Sequence, residues 1–339
     1  LDPVPRRIDG GCIVTETNRR VGRCGRLLAS FQSAKGTVVT DFTTSDTVTL
    51  WAENVQIPAG RRKSIPGPWM TTGETENATS RYSLPENPEG QLLINATEES
   101  VEWLLRSNWG QFAGGSFTLA TQVNEWLTLA WIEDNQSGAT DYLIRLPDVW
   151  IHTLELQISE GRGIMQFLAS YAGSDDILVH ALNSLPGGVT LPTAPAQPSD
   201  FDKFCTASAT VVRDPASANV TLNHIDATVT FNQGLRTEYT MTNGWEVSKR
   251  GKTKAGVVLR ANTSDESWVM LTNNRAGTLQ RFKITAASDA GTPKTLTMNF
   301  YNMDFEVAPL GRAGLDSVEF VGTGQAHTDG TNFVSIAFA

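Results

Sequence analysis

Two stretches decide the fold: Gln91-Leu-Leu-Ile-Asn-Ala-Thr-Glu-Glu-Ser-Val-Glu-Trp-Leu-Leu105 and Gly256-Val-Val-Leu-Arg-Ala-Asn-Thr-Ser-Asp-Glu-Ser-Trp-Val-Met-Leu271. Each opens on a short strand-like apolar run, meets a polar cluster suited to capping a helix, and continues into a segment with one tryptophan among aliphatics. The two copies stay in step further on. Asp141–Ile151 lines up with Lys294–Met303, and Gly161–Leu168 with Ala313–Phe320. Val48-Thr-Leu50 and Val220-Thr-Leu222 open the two halves. A period this long marks a duplicated structural unit, and it fixes the architecture before any single element is assigned.

Within the first copy, Asn95 with Glu98 three residues on has capping-box spacing, and Val101, Leu104 and Leu105 then share one helical face. In the second, Thr263 and Glu266 repeat the spacing, with Trp268 and Leu271 on one face. Trp103 and Trp268 are therefore expected as core anchors that pin each helix to a sheet. Strands surround them. Leu154, Leu156 and Ile158 alternate with Thr153, Glu155, Gln157 and Ser159, and Ile225, Ala227, Val229 and Phe231 alternate with Asp226, Thr228, Thr230 and Asn232. Period-2 alternation gives a sheet with one face on a core and the other wetted.

The divisions expected are a basic N-terminal arm (1–44), a first β domain (45–177), a Pro/Gly-rich linker (178–204) and a second β domain (205–339). Residues 1–40 hold six arginines, among them Arg6, Arg7, Arg19 and Arg20, against Asp2, Asp9 and Glu16. Pro58 to Pro88 reads as a long irregular connection carrying Arg61, Arg62, Lys63 and Trp69. Lys249, Arg250, Lys252 and Lys254 form a basic loop at the corresponding place in the second copy. Such loops are uncommon in compact domains unless they bind something, and these residues are the candidates for contacts between subunits.

Composition narrows the function. A net charge of −9 argues against wrapping DNA by phosphate neutralisation, while an acidic wall that repels DNA stays compatible. No apolar run reaches the roughly 18 residues that a membrane helix needs. Cys12, Cys24 and Cys205 are too few for a disulfide framework and suit a reducing compartment, although Cys12 and Cys24 could pair across an N-terminal hairpin. His152, His180, His224 and His327 have no metal-ligand spacing. Gly251-Lys-Thr253 lacks the upstream glycine of a phosphate loop, and carboxylates such as Asp148 and Glu155 could pair in a glycosidase cleft, but any β protein with 36 acids offers such pairs. No enzyme, cofactor or metal is expected.

The order of strand, long loop, strand, Trp-bearing helix and antiparallel return resembles the major tail (tail-tube) proteins of long-tailed, siphovirus-like bacteriophages. The resemblance rests on Glu98-Glu-Ser-Val-Glu-Trp-Leu-Leu-Arg-Ser-Asn-Trp109, Ser116-Phe-Thr-Leu119 and Asp148-Val-Trp-Ile-His-Thr-Leu-Glu-Leu-Gln-Ile158. It covers residues 45–175 and, more weakly, 205–326. The second copy has no clear equivalent of Trp109, and the arm has no position in the family. The resemblance implies a mainly β chain of two tandem tube-like β-sandwich or barrel domains, each with a short flanking helix. It implies homotrimeric, pseudo-six-fold rings stacked into a hollow tail tube of the virion, assembled in the bacterial cytoplasm. Other tail proteins would close the tube ends, and DNA would pass the lumen without specific binding. The reading from another class is a two-domain β-sandwich that binds carbohydrate or serves adhesion, with some tryptophans stacked on sugar rings.

Overall fold

The computed structural model describes residues 26–56, 64–66, 81–83, 88–119, 125–133, 141–159, 162–174, 176–193, 202–213, 220–222, 224–240, 244–249, 252–262, 265–307, 319–328 and 333–339. The chain is mainly β, with two α-helices among these residues. The first copy begins with β1 (Arg26–Phe31), β2 (Thr47–Leu50), β3 (Ala52–Val55), β4 (Ser64–Pro66), β5 (Arg81–Ser83) and β6 (Glu89–Asn95). Helix α1 (Glu98–Asn108) follows, then β7 (Gly110–Ala113), β8 (Ser116–Leu119), β9 (Leu127–Glu133), β10 (Tyr142–Ser159), β11 (Gln166–Gly173) and β12 (Leu178–Ala181). The second copy has β13 (Thr210–Arg213), β14 (Val220–Leu222), β15 (His224–Asn232), β16 (Leu235–Thr240), β17 (Gly244–Lys249) and β18 (Lys254–Asn262). It ends with α2 (Asp265–Arg275), β19 (Gln280–Ala287), β20 (Thr295–Val307), β21 (Glu319–His327) and β22 (Val334–Phe338).

The duplication is visible in the pairing order. In the first copy the ladder runs β2, β1, β9, β10, β11, β6, β3, all antiparallel. In the second it runs β14, β13, β19, β20, β21, β18, β15. Only Trp51 separates β2 from β3, so the ends of the first ladder lie together and the sheet turns back on itself as a barrel around its core. The irregularities repeat as well. A bulge between Ala52 and Asn54 of β3 recurs between His224 and Asp226 of β15. The register against the preceding strand also skips between Leu146 and Val149 of β10 and between Phe300 and Met303 of β20. An extra residue bends a strand and sharpens its twist, so each long strand can serve two layers. In β10, Tyr142–Arg145 pair with β12 and Val149–Gln157 with β11. Asp148 sits in this bend at φ 50°, and its buried carboxylate accepts the Gly36 N–H at 2.8 Å.

Several boundaries differ from the sequence reading. The first sheet already includes β1, and Phe42 lies in a small core with Leu28, Ala130, Ile132 and Leu143, so the expected arm is part of the body from Arg26 on. The expected linker starts with a paired strand, β12, and Thr190 bridges Asp41. Lys203, Phe204 and Cys205 bridge Thr97, Ser288 and Ile164, which ties the end of the expected linker to both copies. The expected irregular connection 58–88 holds the β4–β5 hairpin, matched by β16–β17 at the same point of the second copy. The copies are not separated as two domains either. β10 pairs with β15, β8 pairs with β22, and one apolar cluster runs through both halves.

Helix α1 is capped by Thr97, not Asn95. The Thr97 side chain accepts the Ser100 N–H at 3.2 Å, and the Ser100 hydroxyl accepts the Thr97 N–H at 2.8 Å. Trp103 is 5% exposed and packs on Phe31 at 5.1 Å between ring centroids. Trp268, expected in the same role, is 51% exposed. The helix ends explain the difference. Trp109 N–H donates to Leu105 O and Ala276 N–H to Thr272 O, which aligns Trp109 with Ala276 and therefore Trp103 with the buried Met270. On that alignment Trp268 stands at the position of Val101 and anchors nothing in its own repeat. Replacing Trp103 by Ala should destabilise the chain by about 3–5 kcal/mol, and replacing Trp268 by Ala should change it by less than about 0.5 kcal/mol. Urea unfolding of dilute protein measures both.

Candidate functional site: the shared sheet and its edges

The most distinctive surface is a sheet built jointly by the two repeats. Each supplies four strands, β3, β6, β11 and β10 from the first and β15, β18, β21 and β20 from the second. The joint is the antiparallel ladder from Thr153↔Asn232 to Ser159↔Asp226. One row of paired residues crosses all eight strands: Asn54, Leu93, Leu168, Glu155, Thr230, Gly256, Gln325 and Asp304. None of these side chains is in the core. The adjacent row, Ala52, Ile94, Phe167, Leu156, Val229, Val257, Gly324 and Phe305, points the other way into the core. Gly324 is required there, because a Cβ would lie 2.5 Å from the Phe305 ring and 2.6 Å from the Met303 methyl.

The outer face of this sheet is mainly polar and leans acidic, with Leu93, Leu168, Val258 and Val321 as its apolar members. Along it stand Thr153, Gln157, Ser159 and Thr228, half-buried, and Asn232, Thr323 and Gln325, exposed. Its described charges are Glu89, Glu155, Asp226, Asp304 and Glu306 against Lys254 and Arg260, and Arg260 is ion-paired with Asp226. Glu155 accepts a hydrogen bond from the Gln157 amide at 2.8 Å, so neighbouring polar side chains satisfy one another along the strand.

Beneath the joint, the repeats are locked by aromatic packing. Trp109, 1% exposed, meets Phe231 of β15 edge-on at 5.0 Å and stacks with Phe333 at 6.0 Å. Asn108 donates to Ile151 O at 3.2 Å, fixing the end of α1 to β10. The first turn of α1 also faces the second repeat. Glu98 accepts the Lys294 N–H at 3.2 Å and the Ser288 hydroxyl. The sequence marks Glu98 as a capping residue, Phe231 as one of an alternating strand face and Trp109 as the end of the helix motif without a second-copy equivalent, but nothing in it brings these residues together.

The expected contact residues fare unevenly. Arg6, Arg7, Arg19, Arg20, Arg61, Arg62, Lys63, Trp69 and Arg250 lie outside the described residues, as do Cys12 and Cys24. Lys249 ends β17, and Lys252 and Lys254 are exposed where β18 begins. Cys205 is a free, half-buried thiol. Among the described residues no group of three or more His, Cys, Asp or Glu side chains is placed to hold a metal ion, and no helix is long and apolar enough to cross a membrane. Asp148 and Glu155 do not form a carboxylate pair facing one cleft, since Asp148 is buried in the β10 bend and Glu155 lies on the polar face. The sequence matches no known protein-family model. It likewise matches no curated protein.

His152 marks the start of the joint. It is the extra residue between Ile151 and Thr153, and its carbonyl accepts the Gln233 N–H at 3.2 Å. Burial holds its imidazole below the ordinary value, and Glu89 offsets part of that shift. The unfolded chain therefore binds a proton at about pH 6.5 that the folded chain resists. This contribution to stability is present at higher pH and is lost as pH falls below about 6.5. His152→Gln should lose less stability than the native chain between pH 7.5 and pH 5.5, as read from urea midpoints. Trp109→Ala should cost about 3–5 kcal/mol at either pH.

Proposed function

We propose that this chain is a structural protein that assembles with copies of itself into stacked rings forming a hollow tube, the tail tube of a long-tailed bacteriophage virion. The observation that carries this reading is the eight-stranded sheet with one face on the core and the other polar and net acidic. A wall of that kind stays wet and repels a polyanion, so DNA can slide past it without sticking. Two repeats per chain give six sheet units in a ring of three chains, the number the resemblance implies. The hairpins β4–β5 and β16–β17 occupy equivalent places in the two repeats, where they can bridge successive rings. Assembly would take place in the host cytoplasm, with other tail proteins at the tube ends.

A sugar-binding or adhesion module is the second reading, and the exposed Trp268 is the observation in its favour. Trp103, Trp109 and Trp150 are buried, however, and Trp51, Trp126 and Trp131 are half-buried, so Trp268 is the one exposed tryptophan among those whose side chains are described. Negative-stain electron microscopy of concentrated protein, together with its mass in solution, separates the two. Stacked rings of three chains are expected. A chain that stays monomeric at every concentration and binds glycans would replace the tube reading with the adhesion one.

A further inference from the structure

Under the two helices the repeats differ by one cation. The bulges of β3 and β15 match Ile94 to Ala261, and the same spacing carries Glu99 onto Glu266 and Trp109 onto Ala276. On the sheet side, Trp131 pairs with both Ile144 and Leu27, and Ile284 pairs with both Met298 and Val211. Ala29 of β1 therefore corresponds to Arg213 of β13. The next strand agrees, since Ala29 pairs with Val48 and Arg213 with Val220.

In the second repeat these two positions hold each other. Arg213 is buried, and its guanidinium crosses from β13 to α2, where Nε donates to Glu266 Oε2 at 3.0 Å and Nη2 reaches the same oxygen. The first repeat keeps the carboxylate and lacks the cation. Ala29 ends in a methyl group, and between α1 and the β1–β2 connection lies a cavity of about 330 Å³, lined by Phe31, Asp46, Val48, Glu99, Glu102 and Trp103. That size falls within the roughly 300–1,000 Å³ of small-ligand pockets. Asp46, Glu99 and Glu102 make no side-chain hydrogen bond or ion pair among the described residues. Arg106, also on the lining, is already engaged: its Nε donates to Glu125 Oε1 at 2.9 Å, and its guanidinium lies 4.1 Å from the Phe31 ring centre. Three carboxylates around one cavity repel each other, and a cation seated among them removes that cost.

We infer that the cavity between α1 and the β1–β2 connection binds a small alkylguanidinium molecule, which takes the place that the Arg213 side chain fills in the second repeat. Glu99 accepts the guanidinium N–H groups as Glu266 does, and Asp46 and Glu102 add negative charge around them. Phe31 and Trp103 supply the apolar wall for the alkyl stem. A guanidinium presents its donors as a planar fork that suits a carboxylate, so the site discriminates against a plain ammonium. The site is independent of the tube reading.

Isothermal titration calorimetry of the full chain with agmatine at low salt tests it. The diamine cadaverine, of equal charge but without a guanidinium, is the control. One saturable site for agmatine is expected, about tenfold tighter than for cadaverine. Glu99 is exposed, so Glu99→Gln leaves the fold intact and should weaken binding about tenfold. Ala29→Arg supplies the missing cation from β1 and should abolish binding; should circular dichroism show it unfolded, Glu99→Gln decides. The tripeptide Gly-Arg-Gly separates a free molecule from an arginine side chain of a protein. It should bind more weakly than agmatine, and equal affinity would assign the cavity to a protein side chain and overturn the small-molecule assignment. No saturable binding, equal affinity for cadaverine, or an affinity unchanged in Glu99→Gln or in folded Ala29→Arg overturns the site.

Discussion

Everything in this chain turns on the ladder between Thr153–Ser159 and Asp226–Asn232. It converts two copies of a small β unit into one eight-stranded sheet, and it does so with backbone hydrogen bonds, which are indifferent to the side chains above and below. Side-chain chemistry can therefore be divided between the faces. Phe167, Leu156, Val229 and Val257 face the core, while Glu155, Thr230 and Gln325 face outward, and the ladder holds both sets in register. A slip of one residue would exchange the faces along the whole strand, so the joint also determines that the exposed surface is polar.

Duplication within one chain permits something that six identical subunits cannot have: joints of two kinds. The joint inside the chain is sealed by Trp109 against Phe231 and Phe333 and reinforced by the β8–β22 pairing. In the second repeat Ala276 replaces the tryptophan, and α2 runs into β19 through Gly277, Thr278 and Leu279 with no counterpart of the β7–β8 hairpin. The internal joint folds with the chain; in the proposed ring a second kind of joint forms between chains and need be only as strong as an association.

The sequence made the mainly β class and the duplication legible for a physical reason. Alternation in Thr153–Ser159 and Ile225–Asn232 is imposed by burial of one sheet face, and the strand–cap–helix order recurs because each repeat needs the same closure. Register was less legible. The strand-by-strand pairing matches Ile144 to Met298 and Phe167 to Phe320, one residue away from the alignment read from the letters on either side of the extra residue His152, because backbone pairing and not residue likeness sets the register. The two helix tryptophans were matched to each other by their rarity, whereas the helix ends and backbone bonds set the true correspondence and leave Trp268 facing solvent. Strands β1 and β12 were assigned to an arm and a linker because short strands flanked by Arg, Gly and Pro carry no periodic signal. The aromatic lock under the joint was hidden for another reason: Trp109, Phe231 and Phe333 are far apart in sequence and meet only through the tertiary fold.

The central claim is that the chain carries two copies of one sheet unit, joined by the ladder between β10 and β15. Residue-resolved hydrogen exchange of the Val55 and Ala227 amides in dilute protein tests it most directly. These residues are equivalent by the matching bulges of β3 and β15, and Ala227 pairs with Ile158 across the joint. The account predicts that Ala227 is protected, while Val55 exchanges at least tenfold faster. An Ala227 amide that exchanges as fast as that of Val55 would contradict it.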